Sequence, residues 1–364
     1  YMILGAVPLG ICFYIIFANP DLSPQMRFIY GLATFLLFNS MFALVNVPYA
    51  ALTASMTQDS HERSVLTGFR MSFAIVGTLV AAGATKPLVG IFSNEVVGFR
   101  MVGIIFGVIA TLIILYSAWT VEEKTKAEEE VKHDMRSNLK SMVLNKPFLM
   151  LVLMFFFTAI AIYATASTVN YYFKYNLERE DLIPFGFLAL FLTAIATIPF
   201  WLFISKKTSK KSAFVGGLVI FCVSLIVIYI QKNPSPTFLI VLLAFTGFGM
   251  ATYFLFPWAM VPDTVEYSEW KTGIRQEGFL YGFFVFGLKL SQALAGFIAG
   301  FSLDYFGYVP NVAQSADTLE GIRTLMTLIP CAFMLIGIGF LLFYPINSKM
   351  HAEMLEEIQA RKSK

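Results

Sequence analysis

One lysine, Lys289, stands by itself within an apolar stretch that runs from Phe283 to Phe301. An ammonium group near the middle of a membrane-length helix costs about 3 kcal/mol or more unless a partner or a water-filled cavity receives it. Lys289 is therefore a candidate for donating hydrogen bonds to a bound molecule or for balancing a carboxylate. A charged segment, residues 263–278, ends eleven residues before it and has the composition of a water-facing connector.

The composition predicts membrane-spanning helices. Hydrophobic residues make up 57% of the 364 residues, charged residues only 13%, and phenylalanine occurs 38 times. Apolar runs of about 18 residues or more recur along the chain, which is the length that a helix needs to cross a bilayer. The ten candidate spans are 2–19, 26–55, 64–92, 98–120, 147–173, 182–205, 213–231, 236–261, 276–303 and 321–345.

Several classes of function lack their sequence motifs. The chain has no Ser-His-Asp arrangement, phosphate-binding loop or dinucleotide-binding pattern, so we predict neither an enzyme nor a cofactor. We also expect no nucleic-acid partner. The histidines are isolated in polar segments without the spacing of metal ligands, so no metal site is predicted. They are His61, His133 and His351.

The lysines and arginines predict an orientation in the membrane. Most of them fall in one set of connectors, which includes Arg63, residues 121–146 and residues 206–211. Basic connectors face the cytoplasm. We therefore expect a multi-pass protein of the cell (inner) membrane, with both termini of this chain in the cytoplasm.

The longest polar connector, residues 121–146, separates four spans before it from six after it. Its mixture of glutamate and lysine suits a short amphipathic helix or a solvated linker. We predict an N-terminal bundle over 1–120, a C-terminal bundle over 147–345 and a cytoplasmic tail over 346–364. Large transport folds often combine two six-span halves, and the chain enters a span directly at Tyr1. We therefore expect that two helices are missing from its start.

The charged segment also has a recognisable pattern. Residues 263–278 read DTVEYSEWKTGIRQEG and are followed by Lys289. They are similar to the D-x-x-(D/E)-Y-x-E-(W/F)-K-x-x-x-R-x-E block and the helix-eleven lysine of the glycoside–pentoside–hexuronide:cation symporters. Further matches, in order, are NVPY at 46–49, DSHER at 59–63, NKPF at 145–148 and YYFKY at 171–175. The chain thus resembles this family of the major facilitator superfamily from the family's third helix onward.

The resemblance implies an all-α membrane protein with the major facilitator fold, of which about ten of an expected twelve transmembrane helices are present. It implies cation-coupled symport, with Na⁺ or H⁺, of a glycoside, pentoside or hexuronide by alternating access. The partners are then the sugar, the coupling cation and the lipid bilayer, and the protein is expected to be monomeric. Two alternatives stay open: a lysolipid or amphiphile carrier of the same superfamily, and a non-transporting membrane sensor or scaffold.

A substrate cavity near mid-membrane depth is also implied by the resemblance. The guanidinium of Arg70 can bind a pair of hydroxyls or a carboxylate, or it can reach toward the cytoplasmic interface. Asn46 precedes Pro48, where a broken backbone ladder frees carbonyls, and Trp258 can stack on a sugar ring or pack as an ordinary aromatic residue. The predicted substrate-binding residues are Lys289, Arg70, Asn46, Tyr49, Asn170, Tyr171 and Trp258.

The charged segment is predicted to form a cytoplasmic gate, in which charge pairs between the two halves form and break as access alternates. The alternative is a static surface cluster, whose exposed pairs would contribute little to stability. The predicted gate residues are Asp263, Glu266, Glu269, Lys271 and Arg275.

The charges inside the spans are unbalanced. Lys289 and Arg70 lie within spans, whereas no aspartate or glutamate lies near the middle of any of the ten spans. The carboxylates that bind the coupling cation are expected on the two missing helices, or else the substrate is anionic, such as a hexuronide. In the first case this chain alone is expected to lack cation-coupled transport.

Overall fold

The structure is a computed structural model that describes residues 2–18, 20–57, 59–121, 135–231, 234–273 and 275–362. Over these residues the chain forms helices, including a π-helix at Tyr172–Asn176 and a short 3₁₀-helix at Glu180–Leu182. The α-helices are α1 Met2–Phe17, α2 Pro24–Met56, α3 Ser60–Gly90, α4 Glu95–Thr120, α5 Met135–Leu144, α6 Lys146–Tyr171, α7 Ile183–Lys207, α8 Lys210–Ile230, α9 Pro236–Thr272, α10 Glu277–Tyr305, α11 Ala316–Met326, α12 Leu328–Leu342 and α13 Ser348–Lys362.

The predicted fold class, an all-α membrane protein, is confirmed. Within the described residues, nine helical segments are long and apolar enough to cross a membrane, and the apolar helix α1 adds 16 residues. Together they match the ten predicted spans. The last of them, Ala316–Leu342, is interrupted at Thr327, where α11 ends and α12 begins.

The first compact unit comprises Tyr1–Gln58 and Val76–Glu128. In this unit α1 packs against α2 and α4. A Cβ atom on Gly10 of α1 would lie only 2.9 Å from the carbonyl oxygen of Gly107 on α4. Small residues of this kind let two membrane helices approach closely, and a larger side chain at either position would separate the backbones.

The second compact unit comprises Asp59–Ile75 and Glu129–Lys364. In this unit α9 packs against α7 and α8, and α6 packs against α10 and α12. The ring of Phe155 on α6 stacks on Phe284 of α10 with 4.3 Å between centroids, and it meets Trp258 of α9 edge-on at 6.0 Å. These three rings join α6, α9 and α10 in one core.

The predicted domain boundaries stay predictions. The segment Asp59–Ile75 opens α3 and groups with the second unit, whereas the predicted N-terminal bundle, 1–120, includes it. Part of the predicted connector 121–146 lies outside the described residues, and its described end contains helix α5.

Helix α9 shows that the predicted water-facing connector is wrong. The helix continues through this region to Thr272, over 37 residues or about 56 Å, and it ends where Gly273 adopts a left-handed φ of 72°. Three acidic residues are buried along its last turns: Asp263, Glu266 and Glu269. The connector interpretation failed because hydropathy falls wherever a helix carries charges, even when those charges pair inside the protein.

The predicted cytoplasmic tail, 346–364, is largely helical, because α13 occupies most of it. Its side chains His351, Met354 and Ile358 are buried, and α13 packs against α9. Spacings of three and four residues place these side chains on one face of a helix. That face is therefore the one that α13 turns toward the protein.

Candidate functional site

Five ionisable side chains meet near the C-terminal end of α9 and form the charge cluster: Arg63, Lys210, Asp263, Glu266 and His351. Asp263 and Glu266 are three residues apart, so they lie on the same side of α9. The first turns of α3, α8 and α13 supply Arg63, Lys210 and His351. Arg63 is 0% exposed and Glu266 is 1% exposed. Ions buried to this degree must be paired to be tolerated.

The charge cluster is balanced by direct ion pairs. Arg63 binds Glu266 with both arms of its guanidinium: Nη1 donates to Oε2 at 2.9 Å and Nη2 donates to Oε1 at 2.5 Å. Lys210 Nζ donates to Asp263 Oδ2 at 2.9 Å and to the carbonyl of Ala259 at 2.7 Å. Bidentate arginine–carboxylate pairs are among the strongest hydrogen-bonded pairs in proteins. Two cations therefore neutralise two carboxylates.

His351 completes the charge cluster, and the sequence analysis missed it. Its Nε2 lies 2.6 Å from Glu266 Oε2 and 3.7 Å from Asp263 Oδ1. The histidine stands 85 residues after Glu266 in a polar segment, so no local spacing links the two. The available signal was the apolar face of α13, because His351 continues the buried series of Met354 and Ile358.

Two buried tyrosines border the charge cluster, Tyr281 and Tyr344. Neither hydroxyl has a hydrogen-bond partner among the described residues. Burial, and then the negative charges of Asp263 and Glu266, raise the pKa of Tyr344 well above its ordinary value. The phenol of Tyr344 therefore stays protonated and can donate a hydrogen bond.

The other predicted gate residues form separate contacts. Arg275 donates from Nη1 to Glu269 Oε2 at 2.9 Å and from Nε to Glu277 Oε1 at 2.9 Å. Burial opposes the charge of Arg275, but Glu277 and Glu269 outweigh burial and raise the pKa of its guanidinium. Lys271 is exposed, and its Nζ lies 3.8 Å from the centroid of the Trp270 ring. The structure thus brings Asp263 and Glu266 together, pairs Glu269 with Arg275, and places Lys271 on an aromatic surface.

Among the predicted substrate-binding residues, Arg70 and Trp258 meet directly. The guanidinium carbon of Arg70 lies 5.0 Å from the centroid of the Trp258 ring, within the range of a cation–π contact. Trp258 is 8% exposed and meets Phe284 edge-on at 5.0 Å, so its ring is held firmly. We call Arg70 and Trp258 the cation–aromatic pair. Arg70 follows Arg63 by seven residues, about two helical turns, so both lie on the same side of α3.

Lys289 is partly buried on α10, two turns after the buried Tyr281. The next turn of α10 carries Gln292, and Tyr163 of α6 lies close to both Gln292 and Tyr253 of α9. Polar side chains inside membrane helices commonly bond across helices. The region that follows Lys289 therefore contains two polar side chains, Gln292 and Tyr163, that are not among the predicted substrate-binding residues.

Asn170 and Tyr171 lie at the far end of α6. Asn170 is exposed, and the ring of Tyr171 meets Tyr308 edge-on at 5.2 Å. Tyr308 follows the end of α10 at Tyr305, which is 16 residues or about 24 Å along the helix from Lys289. The structure therefore places Tyr171 at the end of the helix rather than beside Lys289.

Asn46 and Tyr49 lie on α2 in the first compact unit, on either side of Pro48. Asn46 is partly buried and Tyr49 is 36% exposed. Their predicted role in substrate binding stays a prediction.

Comparison with known proteins decides the family. A family model described as MFS/sugar transport protein matches residues 1–348. The chain belongs to this family of sugar transporters. The predicted resemblance, the predicted absence of an enzyme activity and the predicted multi-pass transporter are thereby confirmed.

Relatives of this transporter include named sugar carriers. It is 33% identical to the putative sulfoquinovose importer of Escherichia coli (strain K12), over 100% of this chain and 78% of the relative. It is 28% identical to the glucuronide carrier protein homolog of the same organism, over 100% of this chain and 80% of the relative. The isoprimeverose transporter of Lactiplantibacillus pentosus is 25% identical over 99% of this chain and 76% of the relative.

Solved structures support the fold of the transporter. The fucose:proton symporter of Escherichia coli gives a TM-score of 0.65 at 11% identity, over 95% of this chain and 82% of that protein. A bacterial homologue of the iron transporter ferroportin, in an outward-facing state, gives 0.67 at 11% identity, over 94% and 82%. At these identities the likeness concerns the fold alone, and it is the major facilitator fold that the sequence predicted.

Proposed function

We propose that this transporter carries an anionic sugar across the cell (inner) membrane by alternating access, coupled to Na⁺ or H⁺. The observation that carries the proposal is the cation–aromatic pair on membrane-spanning helices. An indole ring presents a flat face to the C–H groups of a pyranose, and a guanidinium can bind a carboxylate or sulfonate with two parallel hydrogen bonds.

A second membrane-embedded cation, Lys289, favours an anionic substrate over a neutral one. A cationic side chain attracts a carboxylate or sulfonate more strongly than it attracts a neutral hydroxyl, because the hydrogen bond to an ionised acceptor is charge-assisted. The names of two relatives fit this class, because one is named a putative sulfoquinovose importer and another a glucuronide carrier protein homolog. The isoprimeverose transporter is the more distant of the three relatives.

The charge cluster is proposed to close the cytoplasmic end of the transport path. Its ion pairs join α3, α8, α9 and α13, so α3 cannot move away from α9 without breaking the Arg63–Glu266 pair. Opening separates the buried ions. The free-energy cost of this separation falls as water enters and hydrates them. Both termini of the chain lie in the cytoplasm in this proposal.

Uptake and counterflow in membrane vesicles test the proposed function. The substrates are a radiolabelled glucuronide, sulfoquinovose and the neutral disaccharide isoprimeverose, each with and without a Na⁺ gradient and at two external pH values. We expect uptake of an anionic sugar that a Na⁺ or H⁺ gradient accelerates. Uptake of the neutral sugar alone would contradict the proposed substrate class, and gradient-independent uptake would contradict coupling.

A further inference from the structure

Three buried side chains of the charge cluster converge as metal ligands would. Asp263, Glu266 and His351 each offer one ligand atom, and these atoms lie within 4.8 Å of one another. One imidazole nitrogen and two carboxylate oxygens form a donor set that suits Zn²⁺ and related divalent transition metals, with a water as a further ligand. The histidine disfavours Mg²⁺ and Ca²⁺, which prefer oxygen ligands.

A guanidinium nitrogen would compete with such an ion for two of the ligand oxygens. Arg63 Nη1 lies 2.9 Å from Glu266 Oε2 and 3.6 Å from Asp263 Oδ1. These are the two oxygen atoms that His351 Nε2 approaches at 2.6 and 3.7 Å. With Arg63 and Lys210 in place the charge is balanced, and a dication would add two uncompensated positive charges. Metal binding therefore requires Arg63 to withdraw.

The surroundings supply a further donor atom. The hydroxyl of Tyr344, which is 3% exposed, has no hydrogen-bond partner among the described residues, and it lies within electrostatic range of Asp263 and Glu266. Within the same described part of the chain, Asp263 Oδ1 also makes no hydrogen bond. Asp263 Oδ1 is thus available to an ion, and the Tyr344 hydroxyl is available to water bound to that ion.

The three ligands can stay together when Arg63 leaves. Asp263 and Glu266 belong to α9, and α13 is attached to α9 independently of the charge cluster. Trp270 Nε1 donates to Glu357 at 2.7 Å, and Arg361 donates to the carbonyl of Trp270 at 2.8 Å. The buried apolar face of α13 adds to this attachment.

We propose that Asp263, Glu266 and His351 form a regulatory site for a divalent transition-metal ion, which competes with Arg63 and holds the transporter with Arg63 withdrawn. Transport stops because Arg63 cannot return to close the path. The part of the proposal that concerns transport rests on the proposed role of the charge cluster. The binding site itself does not.

Metal binding is tested on the purified full chain, with Zn²⁺ as the probe for thermal stability and Co²⁺ as the probe for visible absorption. The substitution Arg63→Gln removes the competing charge, and we expect Zn²⁺ to bind about tenfold tighter or better than to the wild type. Adding His351→Ala should abolish this gain and the Co²⁺ absorption bands. The matched control, His61→Ala in the Arg63→Gln background, should keep both.

Equal Zn²⁺ affinity in the wild type and in Arg63→Gln would overturn the proposal, as would an unchanged affinity after His351→Ala. If Arg63→Gln yields no folded protein, the metal site is tested by the inhibition of wild-type sugar uptake by Zn²⁺. We then expect His351→Ala to raise the inhibitory Zn²⁺ concentration about tenfold or more. The same inhibitory concentration in His351→Ala and the wild type would overturn the proposed site. Binding in detergent does not depend on transport, so failure of sugar uptake alone would count against the proposed function and not against the site.

Discussion

The charge cluster and the cation–aromatic pair hold two arginines of the same helix in different ways. Arg63 is fully buried and is fixed by two hydrogen bonds to Glu266. Arg70, two turns later, lies over the ring of Trp258. A carboxylate attracts a guanidinium through a full negative charge. An aromatic face attracts it more weakly, and a cation–π contact stabilises the pair by about 0.5–2 kcal/mol. Helix α3 therefore carries one contact suited to a closed state and one suited to exchange with a ligand.

The largest effect is expected where a buried ion loses its partner. Glu266→Gln removes the carboxylate that binds both arms of the buried Arg63 guanidinium and should lower the free energy of unfolding by about 3–5 kcal/mol. Thermal unfolding in detergent measures this loss. The double variant Arg63→Gln/Glu266→Gln should recover much of it, because neither buried charge of that pair remains. The exposed control, Glu357→Gln, should change stability by about 1 kcal/mol or less. Equal stability of Glu266→Gln and the wild type would show that Arg63 and Glu266 do not form a buried ion pair in solution.

For Arg70 we expect the opposite balance between stability and transport. Arg70→Ala should lower kcat/KM for the proposed anionic sugar about 100-fold, because the two charge-assisted hydrogen bonds that we propose to the substrate would be lost. Its effect on thermal stability should be about 1 kcal/mol. Lys86→Ala on the same helix is the matched control and should transport normally. A large stability loss with unchanged kcat/KM would make Arg70 a structural residue, as Arg63 is.

Replacement of the aromatic partner sharpens the same comparison. Trp258→Phe keeps an aromatic face but reduces its area and its attraction for a cation, so we expect KM to rise about fivefold to tenfold. Uptake measured over a range of sugar concentrations separates KM from kcat. A fall in kcat with constant KM would instead indicate that Trp258 acts in a conformational step.

The smallest effect is expected at the edge of the predicted gate. Lys271 is exposed and contacts the ring of Trp270, so Lys271→Ala should change the free energy of unfolding by about 0.5 kcal/mol or less. Arg275→Ala should cost about 2–3 kcal/mol more, because Glu269 and Glu277 would lose their buried partner. Thermal unfolding of the two variants side by side gives the difference. Similar losses would mean that Lys271 belongs to the charged network after all.

Periodicity and composition predicted the spans well, because a helix must satisfy its own backbone hydrogen bonds in a membrane and needs about 20 apolar residues to cross it. The same criteria ended the predicted span at residue 261, eleven residues before α9 ends at Thr272. A hydropathy pattern treats a charge as exposed to water. It cannot see that Glu266 on α9 pairs with Arg63, 203 residues earlier in the chain.

The sequence by itself determined that this is a membrane protein, which family it belongs to, and that residues 263–278 carry a motif of that family. These conclusions depend on local composition and on the order of motifs along the chain. Only the tertiary structure decided which charges meet. In the tertiary structure His351, from a polar tail, joins the charge cluster, Arg70 lies over Trp258, and Lys271 lies outside the charge cluster. The physical reason is that pairing energies depend on distance and burial, and for side chains on different helices both are set by packing.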